Sequence, residues 1–287
     1  MLQVARLAPN LLHDAADRVA EFLLEQFNSD GGAKDRAGES DLYYTVFALD
    51  GLIALRVDPP IDHVLPYLRE FGDGAALDLV HLTCLARCWA AMPKRELDSA
   101  CANSILERIE AHRSADGGYD ATRDSEHGTI YHSFLALGAY QDLAGDLPQP
   151  ERLAACADAL RTDDGAYAND RIVQLGTTPA TAGAVTLLRQ LRVEIPATVG
   201  PWLVARQHKQ GGFLALSLAP MPDLLSTATA IHALAALHVP IDGIRERCLD
   251  FVDSLWTGRA FCGHWEDDVA DCEYTFYALL ALGHLSL

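Results

Sequence analysis

Positive charge is scarce in this chain. Lys and Arg number 22 against 40 Asp and Glu, a formal net charge of −18 over 287 residues. Nucleic acid and anionic membrane both need a basic footprint, so neither is an expected partner. An anionic ligand is disfavoured too, unless a few Arg or Lys focus positive potential in a cleft. Paired cysteine motifs are missing. Cys84, Cys88, Cys101, Cys156, Cys248, Cys262 and Cys272 are odd in number and form no CxxC pair. They read as reduced core residues of a cytoplasmic protein, not as a disulfide or zinc framework. No basic leader with an apolar run opens the chain, and no stretch is long enough to span a bilayer, so a soluble intracellular protein is expected. Strand-like patches are few and short, such as Arg171-Ile172-Val173.

What the chain has is a repeat. A glycine-turn signature recurs as SDGGA (Ser29 to Ala33), FGDGA (Phe71 to Ala75), ADGGY (Ala115 to Tyr119), DDGAY (Asp163 to Tyr167), KQGGF (Lys209 to Phe213) and FCGHW (Phe261 to Trp265). A polar stretch and then a helical run rich in Ala and Leu follow each one. A period of forty-odd residues means stacked units, because one unit cannot bury its apolar face alone. No Pro/Gly/Ser-rich linker interrupts the period, so one domain of six repeats is expected, at about 1–58, 59–93, 94–147, 148–194, 195–239 and 240–287. Each repeat reads helix, glycine turn, helix. In the first, a helix runs roughly from Leu12 to Phe27, Asp30-Gly31-Gly32 stops it, and a second helix starts near Ser40 with Ser40 or Asp41 as N-cap.

The second helices share a pattern, from Asp41, Thr129, Thr177, Ser226 and Asp271, with the one from Asp78 shifted by a residue. Thr or Ser recurs at one place: Thr45, Thr83, Ser133, Thr181 and Thr275. These helices are apolar almost all round and read as inner, while the first helices carry charge and read as outer. The chain stops on an apolar note at Leu287 with no polar capping helix, which favours closure over an open solenoid. The expected fold is therefore all-α, a closed (α/α)6 barrel or toroid.

Residues Arg206 to Phe213 resemble the QW-type repeat of squalene and terpene cyclases, with Phe for Trp. The stretch Gly31 to Arg36 followed by Asp41-Leu42-Tyr43-Tyr44-Thr45 is similar to the diagnostic segment of protein prenyltransferase β subunits. Tyr131-His132-Ser133 resembles that family's Tyr-His-Thr context. The resemblance implies a barrel whose cavity holds an isoprenoid chain, with inner-helix N-termini at the mouth, where anions are favoured. It also implies a zinc site of Asp, Cys and His that activates a thiol. Here Arg36 and Asp41 match the family's Arg and Asp, but Tyr43 stands in place of the Cys. Asp271-Cys272-Glu273 offers a second frame with Glu273 at that position, and His81 or His132 would supply the His. The zinc set is thus incomplete, and the cyclases' Asp-x-Asp-Asp motif is matched neither by Glu266-Asp267-Asp268 nor by Asp163-Asp164-Gly165.

Within that frame, Arg36 and Arg123 read as a bidentate clamp on diphosphate, or else as surface residues paired with local acids such as Asp35 or Asp124. His81 and His132 read as acid, base, diphosphate or metal contacts, or as core residues. Asp41, Asp271 and Glu273 begin inner helices, where capping competes with acid catalysis or Mg²⁺ coordination. Tyr43, Tyr44, Tyr131 and Tyr274, with Phe47, Phe134, Phe276 and Trp89, form either packing or a π-lined wall for an allylic cation. Metal candidates are Asp41 and His81, with Mg²⁺ or Zn²⁺ as the ion. The functional expectation is a prenyltransferase- or terpene-cyclase-like protein that binds an isoprenoid diphosphate or polyprenyl chain. The alternatives are a non-catalytic toroid for a lipid or protein partner, a homodimer, or a β-like subunit needing an α partner.

Overall fold

A computed structural model describes all 287 residues. Two short helices, α1 (Leu2–Ala5) and α2 (Pro9–Leu12), precede six hairpins. These are α3 (Ala15–Leu24) with α4 (Leu42–Ala54), α5 (Ile61–Glu70) with α6 (Leu79–Ala91), α7 (Ser99–Glu110) with α8 (Ile130–Asp142), α9 (Pro150–Asp158) with α10 (Thr178–Gln190), α11 (Val199–Val204) with α12 (Leu224–Ala236), and α13 (Arg245–Ser254) with α14 (Cys272–Leu285). There is no sheet, only isolated bridges. Arg171-Ile172-Val173 is not a strand; it lies on the surface, with Ile172 93% exposed. No helix is long and apolar enough to cross a membrane.

The contacts divide the chain into two compact units: Met1–Pro60 with Gly200–Leu287, and Ile61–Val199. In the first, α14 packs between α12 and α4, with α13 against α14 and α3 against α4. In the second, α8 packs between α6 and α10, covered by α7 and α9. The second helices α4, α6, α10, α12 and α14 are buried over most of their length, α14 most heavily, as their largely apolar character requires, while α8 buries about half of its residues. The first helices α3 and α7 bury one face only.

Each second helix starts on a capping side chain in extended backbone: Asp41, Asp78, Thr129, Thr177, Asp223 and Asp271 accept amides of the first turn. Before that cap the chain makes an arch. The first helix of the first hairpin, α3, departs from expectation here. It begins at Ala15, because His13 takes a left-handed φ of 47°, and it ends at Leu24, before the glycines. The glycine turn instead reverses the chain, with Gly31 at φ 97° and Phe27 bridged to Ala33. Equivalent bridges are Arg113 to Tyr119, Arg161 to Tyr167, Gln207 to Phe213 and Trp256 to Phe261.

The recurrent Thr/Ser locks that arch to the helix. Its hydroxyl accepts the arch amide in Ala33 to Thr45 (2.8 Å), Tyr119 to Ser133 (3.1 Å), Tyr167 to Thr181 (3.1 Å), Phe213 to Thr227 (2.9 Å) and Phe261 to Thr275 (3.3 Å). These donors are buried, and a buried amide must find a partner. The second hairpin is the exception: the Thr83 hydroxyl donates to the Val80 carbonyl instead (2.7 Å). That hairpin also lacks the bridge, which explains its shifted register in sequence.

Candidate functional site

The arches of the first and sixth hairpins and the starts of α4 and α14 meet in the first compact unit. Arg36, on the first arch, reaches the sixth. Its Nε donates to Asp271 Oδ2 at 2.7 Å, and Nη1 and Nη2 hold both oxygens of Asp267 at 3.2 and 2.8 Å. Its guanidinium also lies over the Tyr274 ring, 5.4 Å from the centroid. The two carboxylates raise the guanidinium's affinity for its proton, Asp267 foremost. Burial opposes ionisation of Asp267, but Arg36 and the amides of Gly263 and Val269 outweigh it, and the carboxyl sits below its ordinary value. At Asp271 burial wins over the Tyr274 amide and Arg36, and the carboxyl titrates above its ordinary range. Gly263 makes room for this arrangement, since a Cβ there would stand 2.6 Å from the Tyr274 ring.

Behind the ion pair, side chains four apart on two helices face each other. Tyr43 and Phe47 come from α4, Glu273 and Tyr277 from α14. The Tyr43 hydroxyl donates to Glu273 Oε1 at 2.7 Å. Tyr43 and Phe47 stack edge-on at 4.9 Å, and Phe47 meets Phe276 at 5.8 Å and Tyr277 at 5.6 Å. Tyr44 closes the row at 5.7 Å from Tyr43. Tyr43, Tyr44, Phe47, Glu273, Tyr274 and Tyr277 are all half-buried. Burial pushes the Glu273 carboxyl up; the Tyr43 hydroxyl opposes this and the Asp271 charge adds to it. Burial likewise pushes the Tyr44 and Tyr274 phenols up to about 12, so both stay protonated at neutral pH. The outcome is a carboxyl whose hold on its proton is strengthened by burial, at the head of an aromatic wall.

Of the expected residues, the structure thus gathers Arg36, Tyr43, Tyr44, Asp271, Glu273 and Tyr274. Asp41 stands at the start of the same helix, where its Oδ1 accepts the amides of Tyr43 (2.7 Å) and Tyr44 (3.2 Å) as an N-cap. The others belong to the second unit. His81 Nδ1 lies 2.9 Å from Asp78 Oδ1, and His132 Nδ1 lies 2.9 Å from Thr129 Oγ1, so each ring turns back to the cap of its own helix. Burial pushes the His132 imidazole down, which keeps it neutral. Tyr131 is exposed and leans on His132 at 5.3 Å, and Arg123 is exposed on its arch. A hollow of about 300 Å³ in this unit, lined by residues such as Arg161, Asp164, Asp170 and Arg171, contains none of the expected residues.

Sequence reasoning missed Asp267 and Tyr277. Tyr277 had a signal, standing four residues after Glu273 on the same face. Asp267 had only its place in Glu266-Asp267-Asp268, a motif that does not match the cyclase pattern. The donor set does not fit the zinc site that the resemblance implies. The Cys place is Tyr43, whose hydroxyl is on Glu273, and no group of three or more His, Cys, Asp or Glu side chains could hold a metal ion.

Two segments, 8–81 and 180–286, match the prenyltransferase alpha-alpha toroid domain, well over half of the chain. The chain therefore belongs to that family, and its fold is the all-α toroid class. Both arches of the site lie within the matched segments. No curated protein matches by sequence. Among solved structures, the chain is similar to the type II terpene cyclase MstE from Scytonema in complex with its substrate geranylgeranyl dihydroxybenzoate, at 13% identity, TM-score 0.63 and 97% coverage of both chains. It is also similar to protein geranylgeranyltransferase-I of Candida albicans complexed with GGPP, at 13% identity and TM-score 0.53, covering 97% of this chain and 80% of the other. A polysaccharide lyase is similar too, at 12% identity and TM-score 0.61, covering 99% of this chain and 97% of that one. The fold alone thus does not choose a reaction, and the site must.

Proposed function

We propose that this protein is an isoprenoid-processing enzyme of the terpene-cyclase and prenyltransferase type, which binds a polyprenyl chain and starts its chemistry with a proton from Glu273. One observation carries the reading: a half-buried carboxyl that burial pushes above its ordinary range, held by the Tyr43 hydroxyl at 2.7 Å, heads a continuous aromatic wall. In the proposed step Glu273 gives its proton to one carbon of a prenyl double bond. The π electrons form the new C–H bond, the neighbouring carbon becomes a tertiary cation, and Glu273 becomes a carboxylate. Tyr43, Phe47 and Tyr277, all half-buried, offer ring faces, which attract cations. Arg36 stays with Asp267 and Asp271 and braces the two arches.

Incubation of the protein with polyprenyl substrates, followed by product analysis, tests this. Glu273→Gln is expected to lower turnover about 100-fold or more, the scale of a lost general acid, while still binding the chain. Unchanged turnover in that variant would remove Glu273 from the reaction.

A further inference from the structure

We infer that the prenyl substrate reaches this site with an uncharged head, as an alcohol, a hydrocarbon or a prenylated arene, and not as a diphosphate. The inference rests on the isoprenoid reading above and decides between substrates that the reading leaves open.

The first ground is geometric. A guanidinium has five N–H donors, and it grips phosphate through two parallel ones. In Arg36 the Nε donor goes to Asp271, one Nη1 donor to Asp267, and the Nη2 donors to Asp267 and the Val269 carbonyl at 3.3 Å. One N–H is left over, on Nη1, so no fork remains for an oxyanion. A diphosphate would have to displace an aspartate that is itself fixed: Asp267 also accepts the amides of Gly263 (3.0 Å) and Val269 (3.2 Å), and Asp271 accepts that of Tyr274 (2.8 Å).

The second ground is charge. Asp267 and Asp271 more than balance Arg36. Lys34 adds one point charge on the same arch, but the arch also carries Asp30, Asp35, Glu39 and Asp41, which offset it. The sixth arch, between α13 and α14, brings Glu266, Asp267, Asp268 and Asp271 against one cation, Arg259, which is paired with Glu25. A head group with two or more negative charges would enter a region already negative, whereas an uncharged head meets no such penalty. The Tyr43–Phe47–Tyr277 row needs no head-group charge to hold the chain.

The test compares heads on one tail. Binding of geranylgeraniol and of geranylgeranyl diphosphate to the full chain is measured by calorimetry, each with and without Mg²⁺. The alcohol is expected to bind at least about tenfold more tightly than the diphosphate in both conditions. Asp267→Asn, which frees one edge of Arg36 and removes a carboxylate, is expected to narrow that gap by strengthening diphosphate binding. Diphosphate binding as tight as the alcohol's, with or without Mg²⁺, would overturn the inference while leaving the isoprenoid reading intact. Binding of neither ligand would overturn both. The wild-type comparison decides the matter by itself, so an Asp267→Asn chain that fails to fold does not spoil it.

Discussion

Without Arg36, Asp267 and Asp271 would face each other across the meeting of two arches, with side chains only 8% and 7% exposed. Removing one partner of a buried pair costs far more than removing a surface pair. The Arg36 side chain is itself 39% exposed, so solvent screens part of the interaction. Arg36→Gln is therefore expected to cost about 1–2 kcal/mol at pH 7, below the figure for a fully buried pair. The sign of its pH dependence follows from Asp267, whose carboxyl lies below its ordinary value in the native chain. Its stabilisation is present above the unfolded-state value near 4 and lost as the pH falls through the native one. Urea titrations should accordingly show the gap between wild type and variant closing towards acid pH; a gap constant with pH would mean that the charge pair contributes little. At this scale the sequence was informative where residue type carried the chemistry. Glu273 at a helix start, in the place that Tyr43 takes in the first repeat, and Arg36 after its glycine pair, could be picked out. Their partners could not: the sequence offers Arg36 a diphosphate or local acids such as Asp35, whereas its partners lie more than 230 positions away. His81 and His132 looked like catalytic groups because a lone sequence does not reveal that each ring bonds the cap three residues earlier.

A hydroxyl placed one turn into a helix decides whether an arch can dock. Thr227 accepts the Phe213 amide in buried surroundings, and Phe213 is itself fully buried. Thr227→Val keeps the shape and strands that amide, a loss of about 1–3 kcal/mol. Thr83→Val removes only a hydroxyl that donates to a carbonyl of its own helix, so a cost under about 1 kcal/mol is expected. Chemical denaturation of the two variants separates these outcomes, and equal losses would contradict the lock. The repeating elements were legible for this reason. Glycine at positive φ, an Asp or Thr cap and a Thr one turn later are local requirements, and each leaves a residue-type signature. Helix ends were less so. The first helix stops at Leu24 because the arch needs Phe27 opposite Ala33, a pairing formed after the chain has turned back.

For the whole molecule, acid is the revealing variable, because its 40 acidic residues are joined by buried imidazoles. His232 and His284, on α12 and α14, meet Nδ1 to Nε2 at 2.8 Å. Burial pushes them down to about 3 and about 4, the positive charge of the N-terminal amine adds to this in both, and His284 lowers His232 further. Unfolded imidazoles titrate near 6.5. Between that value and about 4 the unfolded chain takes up protons that the native chain refuses, so stability falls as the pH falls. Asp223, Asp271 and Glu273 act in the opposite sense. Burial raises their carboxyls, so the native chain holds protons that the unfolded chain has released. Their contribution favours the fold in acid and is lost as the pH rises through their raised values. The imidazoles begin to act at higher pH, since their reference value is higher. Urea midpoints are thus expected to decline from pH 7 to pH 5, corresponding to a loss on the order of 2–4 kcal/mol. Replacing both partners, as His232→Leu with His284→Leu, removes their titration without leaving a polar atom stranded, and the decline over the same interval should then be much shallower, with His132 keeping a share of it. An equally steep decline in the double variant would place the acid sensitivity elsewhere in the molecule.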